Sequence, residues 1–362
     1  MENQKKEILR MVESGLITTD EALKLLEAMN DAETLEEKQD EMMNQSLSTH
    51  VKFDEEDEKV YQEKSTVGKL SGFLQNALNK LSKMDFNFAS SVDFSHIFSF
   101  PVTKIKGMNF DLFNGSVMIR THEKQEVRVE CNVRVYKQKD LDEGRDLFFK
   151  EVYANIVDDV LRIDSDNKFI KVDTVVYVPD ESYERAQIRL FNGPIHVEAM
   201  SFDTLLGKTA NGNVTLHQIT AKKCEIETAN GKIAMTDSAG EVCELETVNG
   251  KIEASEAFEK FEAGSITSAI EVKVTKPLES KVELKSATGN ITCLVPRGVK
   301  VKGELETNFG GFTCDLEQFE LIHERKEKLE KELKFAANTS HITTITLEAE
   351  SKAGSIFVKH LD

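Results

Sequence analysis

Thr209-Ala-Asn-Gly212-Asn-Val214, Thr228-Ala-Asn-Gly231-Lys-Ile233 and Thr247-Val-Asn-Gly250-Lys-Ile252 are three copies of one phrase, Thr/Ser-x-x-Gly-x-Ile/Val/Phe. It returns as Ser286-Ala-Thr-Gly289-Asn-Ile291, Thr307-Asn-Phe-Gly310-Gly-Phe312 and Ser351-Lys-Ala-Gly354-Ser-Ile356, and in degenerate form as Ser265-Ile-Thr-Ser268-Ala-Ile270. From Gly212 to Gly354, with Ser268 standing in for the missing glycine, the steps are 19, 19, 18, 21, 21 and 44 residues. A fixed period of about 20 is the mark of stacked structural repeats.

Inside one repeat, Cys224, Ile226 and Thr228 fall on one face of a strand, and Glu225 and Glu227 on the other. Asn230-Gly231 then makes a bend, because both residues tolerate positive φ, and Ile233 and Met235 point inward again. The next repeat reproduces this with Cys243, Leu245 and Thr247, a bend at Asn249-Gly250, and Ile252 and Ala254. Two architectures fit the bends. Asn-Gly between alternating strands is a hairpin signal and would give an antiparallel sandwich. Equal residues at equal offsets over several steps are needed only by a solenoid, whose coils stack about 4.8 Å apart. The expected fold class is therefore mainly β: a parallel β-solenoid over residues 101–362, preceded by an α-helical hairpin and a linker helix. The alternating runs Val127–Val135 and Val172–Val178, and the related phrases Phe113-Asn-Gly115 and Phe191-Asn-Gly193, carry the pattern upstream. Residues 140–153 and 318–334 read as helical insertions; the second has a thin apolar stripe of Phe319, Ile322, Leu329 and Leu333.

Residues 1–30 hold the hairpin. Ile8, Leu9, Met11 and Val12 form one apolar face, Gly15 breaks the helix, and Thr18-x-x-Glu21 is a capping box that opens a second helix. Two such short helices cannot form a stable core alone, so self-association or partner docking is expected of them. Residues 31–65, with twelve acidic residues against four lysines, read as a solvated linker. Residues 66–84 form an amphipathic pattern in which Leu70, Phe73, Leu74, Leu78 and Leu81 share a stripe and Lys69, Lys80 and Lys83 face outward. That helix is a candidate for partner packing or for lying in a membrane interface. Residues 85–100 are rich in phenylalanine (Phe86, Phe88, Phe94, Phe98, Phe100), as an end cap or a sticky surface would be.

A formal charge of −18 over 362 residues excludes ordinary nucleic-acid binding and favours solubility or cationic partners. The start lacks an apolar signal region, no run reaches the ~18 apolar residues of a spanning helix, and five cysteines form no disulfide framework. A cytoplasmic protein, peripheral to the membrane or surface-exposed in the alternative, is expected.

Chemistry is sparse. Leu206-Gly-Lys-Thr209 ends like a phosphate-binding loop, but Phe202 stands where its first glycine belongs. Cys224 with Cys243, and Cys293 with Cys314, recur at matching offsets without completing a metal ligand set, and are expected in the core. The eight histidines are scattered, so no catalytic residue, cofactor or metal is assigned. The remaining feature is a set of outward glutamates at matching offsets: Glu225, Glu227, Glu244, Glu246, Glu283, Glu304 and Glu306. Stacked, they form an acidic ladder, either a solvated face neutralised by Lys223, Lys232, Lys251 and Lys285 or a docking strip for a basic segment.

The hairpin, with Gly15, Ile17, Thr18, Asp20, Glu21, Ala22, Leu25 and Leu26, resembles a SHOCT-like domain, and the Asn-Gly-x-Ile/Val repeats resemble a bacterial adhesin-like β-strand-repeat family of unknown function. The resemblance implies a role in the cell-envelope stress response, as a surface-associated sensor of cationic antimicrobial peptides that restrains a membrane-stress signalling system. It implies no catalytic residues. The leading expectation is a non-enzymatic stress regulator that binds a protein, a membrane signalling component or a cationic peptide, and that forms a homo-oligomer through the hairpin. A self-assembling structural solenoid and a carbohydrate-active β-helix enzyme are the alternatives.

Overall fold

The computed structural model describes residues 90–101, 104–327 and 330–361. The hairpin, the acidic linker and the amphipathic helix read from the sequence, with Lys69, Leu70, Phe73, Leu74, Leu78, Lys80, Leu81 and Lys83, lie outside the described residues. At the core of the fold are four long strands, each of which passes round a corner. They follow seven shorter ones, β1 (Ser91–Pro101), β2 (Gly107–Asn114), β3 (Val117–His122), β4 (Glu126–Tyr136), β5 (Tyr153–Val157), β6 (Val160–Ser165) and β7 (Ile170–Pro179), and the intermediate β8 (Ser182–Asn192). The four are β9 (Ile195–Asn211), β10 (Val214–Asn230), β11 (Ile233–Thr247) and β12 (Ile252–Ser265). They pair in parallel and in register, Val214 beside Ile233 and Ile252 in turn, and Cys224 beside Leu205 and Cys243. The hairpin alternative is thereby excluded, and the parallel solenoid stands.

Nine strands complete the stack: β13 (Ile270–Val274), β14 (Ser280–Ser286), β15 (Ile291–Val295), β16 (Lys300–Thr307), β17 (Phe312–Asp315), β18 (Glu320–Lys326), β19 (Lys331–Ala337), β20 (Thr344–Ser351) and β21 (Ile356–His360). One face runs β5-β6-β2-β8-β9-β10-β11-β12-β14-β20-β16-β19-β18, and the other β1-β4-β7-β3-β9-β10-β11-β12-β13-β15-β21-β17. Coil order departs from chain order twice. The first coil, β2–β3, sits between β6–β7 and β8–β9, and the last, β20–β21, sits between β14–β15 and β16–β17. The 44-residue final step is therefore a return of the chain into the stack.

The recurring phrase has a physical reason at each position. The first residue is a buried hydroxyl that donates to the backbone of the neighbouring coil: Thr209 to Gly193 O at 2.9 Å, Thr228 to Gly212 O at 2.9 Å, Thr247 to Gly231 O at 3.1 Å and Ser351 to Gly289 O at 2.9 Å. The glycine is required by close approach, since a Cβ on Gly231 would lie 1.9 Å from Gly212 O and one on Gly250 1.8 Å from Gly231 O. Neither has the left-handed φ that the bend reading assigned to it. Asparagines stack as a side-chain ladder, each amide donating to the Asn one coil back, from Asn249 through Asn230, Asn211 and Asn192 to Asn114 at 2.8–3.0 Å. Inside, Val214, Leu216, Ile226, Ile233, Leu245 and Ile252 are fully buried, each worth roughly 1.5–3 kcal/mol of transfer free energy before chain entropy is charged. Thr228→Val keeps the shape but removes a buried donor. It is expected to cost about 1–2 kcal/mol, read as a lowered midpoint in denaturant titration.

The second corner uses left-handed residues in a column 19 apart, Ala199, Gln218 and Asp237 at φ 55°, 54° and 52°. In β12 this residue is missing: the register shifts between Met235 and Ser238, and Glu256 takes the place beside Ser238. That deletion is the physical origin of the 18-residue step.

Both ends of the stack switch to antiparallel pairing. At the first end β1 pairs with β4, and the helix α1 (Leu141–Glu151), N-capped by the Asp140 carboxylate, lies within the 140–153 insertion. Phe148 is fully buried with Phe94 at 5.4 Å, and Phe94, Phe98 and Phe100 pack on the core, so this part of the Phe-rich stretch caps the stack. At the other end none of the described residues of 318–334 is helical, which corrects the sequence reading. They contribute β18 and most of β19, an antiparallel hairpin. The alternation Leu333, Phe335, Ala337 points inward, and the Phe335 ring fills the space left by Gly303, where a Cβ would lie 2.0 Å from it. Tertiary packing of this one ring outweighs the helical propensity of the lysine- and glutamate-rich run. The outer strand β18 is charged, wholly exposed and bulged between Leu321 and His323, features that blunt a sheet edge against further pairing.

Candidate functional site

Two rows of side chains run up one face of the stack. The first is Glu225, Glu244, Glu262, Glu283, Glu348, Glu304 and then Lys334, each beside the next across a strand pair. The second is Lys208, Glu227, Glu246, Gly264, Lys285, Glu350, Glu306 and Glu332. The coil register therefore brings the glutamates of the sequence reading onto one surface, but in another order: Glu348 separates Glu283 from Glu304. Glu262, Glu348, Glu350 and Glu332 were missed. A signal for the first two was present, because every glutamate of the first row stands three residues before the hydroxyl of its phrase, Glu262 before Ser265 and Glu348 before Ser351 included.

Glu227 and Glu246 are not outward-facing in any useful sense; they are 4% and 1% exposed. Each is the last residue before the Thr corner; at ~4.8 Å Glu227 is flanked by Lys208 and Glu246, and Glu246 by Glu227 on one side and Gly264 on the other. Lys208 Nζ lies 2.9 Å from Glu227 and 3.4 Å from Glu225. Burial pushes the Glu227 carboxyl above its ordinary range, and Lys208 only partly opposes this. Burial acts on Glu225 in the same sense, but Lys208 and Lys223 together outweigh it and hold that carboxyl low. Lys208 itself loses hydration on burial, more than offset by Glu227 and Glu225, so its ammonium is held charged.

Along the middle of the row each carboxylate has a lysine: Lys260 at 2.5 Å from Glu262, and Lys281 at 2.8 Å from Glu283 and 3.1 Å from Glu348. Gly264 interrupts the second row, leaving a notch lined by Glu244, Glu246, Glu262, Glu283 and Lys285. Toward the far end the balance fails. Glu304, Glu306 and Glu332 bring carboxylate oxygens within 4.8 Å of one another, with Glu350 beside Glu306. Lys334 bridges Glu304 at 2.9 Å and Glu332 at 3.0 Å. Partial burial, then the charges of Glu350, Glu304 and Glu332, raise the Glu306 carboxyl, although it is exposed. One intramolecular ammonium thus already sits among these acids, which describes the chemistry they accept.

The thiols lie elsewhere. Cys224 and Cys243 are neighbours within the core, while Cys293 and Cys314 both flank Val358. Burial pushes Cys293 up to about 12 and Cys314 to about 11, so both stay protonated thiols. Among the described residues no helix is long and apolar enough to cross a membrane.

Residues 105–354 match the Toastrack DUF4097 family model, and residues 3–34 match a SHOCT-like domain. The uncharacterized protein YvlB of Bacillus subtilis (strain 168) is 31% identical over 366 residues, covering 99% of both chains. Among solved structures, a proposed adhesin of Bacteroides fragilis is similar at a TM-score of 0.43 with 13% identity, over 73% of this chain and 97% of that one. A proposed lipid-binding protein of Parabacteroides distasonis is similar at 0.35 with 10% identity, over 74% and 97%. A family model spanning well over half the chain, and a full-length relative, settle its membership: this chain belongs to the Toastrack DUF4097 family.

Proposed function

We propose that this chain is a non-enzymatic regulator of the cell-envelope stress response that binds cationic peptides, or a basic segment of a membrane signalling protein, along the glutamate rows of its solenoid. The observation that carries this reading is the excess of carboxylates at Glu304, Glu306, Glu332, Glu348 and Glu350 on a rigid, regularly spaced face. A peptide with lysines at alternate positions repeats at about 7 Å when extended, against about 4.8 Å between coils, so a long flexible side chain is needed to follow the row. The Gly264 notch adds a place for one ammonium among Glu244, Glu246 and Glu283. The SHOCT-like hairpin serves self-association or docking, and helix 66–84 holds the protein at the membrane surface from the cytoplasmic side.

The test is a titration of the full chain with a fluorescent Lys-rich amphipathic peptide, beside an analogue with the lysines replaced by glutamine. Binding that weakens with salt, and a loss of roughly tenfold or more in the variant Glu304→Gln/Glu306→Gln/Glu348→Gln/Glu350→Gln, are expected. Equal affinity for the neutral analogue, or an unchanged affinity in the quadruple variant, counts against the reading.

A further inference from the structure

The chain carries five Asn-Gly pairs, at Asn114, Asn192, Asn211, Asn230 and Asn249, and the stack does not hold them alike. In the first three the glycine N–H donates to the asparagine carbonyl of the next coil: Gly115 to Asn192 O at 2.9 Å, Gly193 to Asn211 O at 2.8 Å and Gly212 to Asn230 O at 3.2 Å. From the corner of Asn249 onward the bonding runs the other way. Val248 N and Asn249 N donate back to Thr228 O and Ala229 O, and Ile266 N and Thr267 N to Thr247 O and Val248 O. Beyond that switch, the residue at the glycine position turns its N–H onto the hydroxyl of its own phrase. Ser268 donates to Ser265 at 3.2 Å, Gly289 to Ser286 at 2.9 Å, Gly310 to Thr307 at 3.0 Å and Gly354 to Ser351 at 2.9 Å. Gly231 and Gly250 stand at the switch itself, and among the described residues their N–H groups make neither bond.

The same two pairs are the exposed ones; Asn114, Asn192 and Asn211 are half-buried. Asn249 also ends the amide ladder, where its Oδ1 accepts from the Thr267 hydroxyl at 3.1 Å rather than from another amide. An unbonded nitrogen directly after an asparagine is a nucleophile beside a carboxamide, and glycine presents it with no Cβ in the way.

We propose that Asn249 and Asn230 are sites of spontaneous deamidation, and that the stack protects the other three pairs. The Gly250 nitrogen gives up its proton and forms a bond to Asn249 Cγ; the Cγ–Nδ2 bond breaks, and ammonia leaves with that proton. Water then opens the resulting succinimide at one of its carbonyls, to aspartate or to isoaspartate. Gly231 acts on Asn230 in the same way, and water is the sole co-reactant. The products disturb the corner in which they form. Neither has a side-chain amide to donate, so the bond from Asn249 to Asn230 at 2.9 Å is lost. Isoaspartate also lengthens the main chain beside Gly250, where even a Cβ would lie 1.8 Å from Gly231 O. Deamidation therefore loosens β10–β12, the coils that hold Glu225, Glu227, Glu244 and Glu246, as the protein ages.

The test uses the unaltered full chain, held for days at mildly alkaline pH, with isoaspartate read by enzymatic methylation and each site by peptide mapping. One hydrogen bond fewer is worth up to roughly a factor of ten in how often the nitrogen is free, so Asn249 and Asn230 are expected to convert about tenfold faster than Asn211, Asn192 and Asn114. In the guanidinium-unfolded chain that ranking should collapse, because the pairs then differ only in their flanking residues. Conversion of Asn211 as fast as that of Asn249 in the folded chain overturns the proposal. So does the absence of conversion at Asn249 and Asn230 while the unfolded chain reacts, or a ranking that survives unfolding and so belongs to local sequence.

Discussion

Gly231→Ala is expected to destabilise the solenoid by about 3–5 kcal/mol, although it adds one methyl group to a surface corner. The added Cβ falls 1.9 Å from Gly212 O and 2.5 Å from its carbonyl carbon. Neither coil can give way cheaply. Gly212 N is bonded to Asn230 O, the Thr228 hydroxyl to Gly212 O, and the Asn230 amide to Asn211. Separating the coils breaks all three and opens the aliphatic stack behind them. The adjacent pair Gly310 and Gly311 supplies the control. A Cβ on Gly310 would meet Gly354 O at 2.0 Å, whereas one on Gly311 meets nothing within 4 Å. Gly311→Ala is therefore expected to melt within a degree or two of wild type, and Gly310→Ala well below it. Equal melting of the two alanine variants would remove close approach as the reason for the glycines.

The second large effect belongs to Glu256. Its side chain is fully buried at the shortened corner of β12; Oε2 accepts from Phe258 N at 2.6 Å, and Oε1 has no hydrogen-bond partner among the described residues. Burial pushes this carboxyl from the ordinary 4.5 up to about 7, opposed only by the Phe258 amide. Below pH 4.5 the group is protonated in the folded and unfolded chains alike and does not affect their balance. Between 4.5 and about 7 the unfolded chain releases the proton and the folded chain keeps it, so stability falls as pH rises. At 1.36 kcal/mol per unit the loss reaches about 3 kcal/mol and is complete above neutrality. Glu256→Gln has no proton to lose. The variant is expected to match wild type near pH 4 and to exceed it by about 3 kcal/mol at pH 8, read as the difference between urea midpoints across the pH range. A variant less stable than wild type at pH 8 would mean that the carboxylate is compensated.

The period of the phrase decided the solenoid correctly because stacking is what makes identical offsets necessary. Its glycines were given the wrong reason, since a bend and a close approach leave the same residue in the sequence. Only Gly115 and Gly193, at φ 138° and 143°, meet the bend reading. The return of β20–β21 into the stack could not be read, because nothing local in residues 344–360 distinguishes an inserted coil from a terminal one. Glu348 lost its neighbours for that reason. Residues 318–334 were misread because their charges favour a helix, while the deciding contact, Phe335 against Gly303, is distant in sequence. Glu227 and Glu246 alternate with the inward residues as expected and are buried all the same, stacked on each other at the last position before the Thr corner.

Everything functional depends on coils that lie in parallel and in register. Thr204, Lys223, Val242, Lys260, Lys281, Thr346 and Lys302 follow one another up one face, four steps from Thr204 to Lys281 and six to Lys302. Pulsed electron paramagnetic resonance between a spin label at Thr204 and a second at Lys281 or Lys302 should give about 19 and 29 Å, the growth that ~4.8 Å per coil requires. A Lys302 distance equal to or shorter than that of Lys281 would contradict the stack and dissolve the glutamate rows with it.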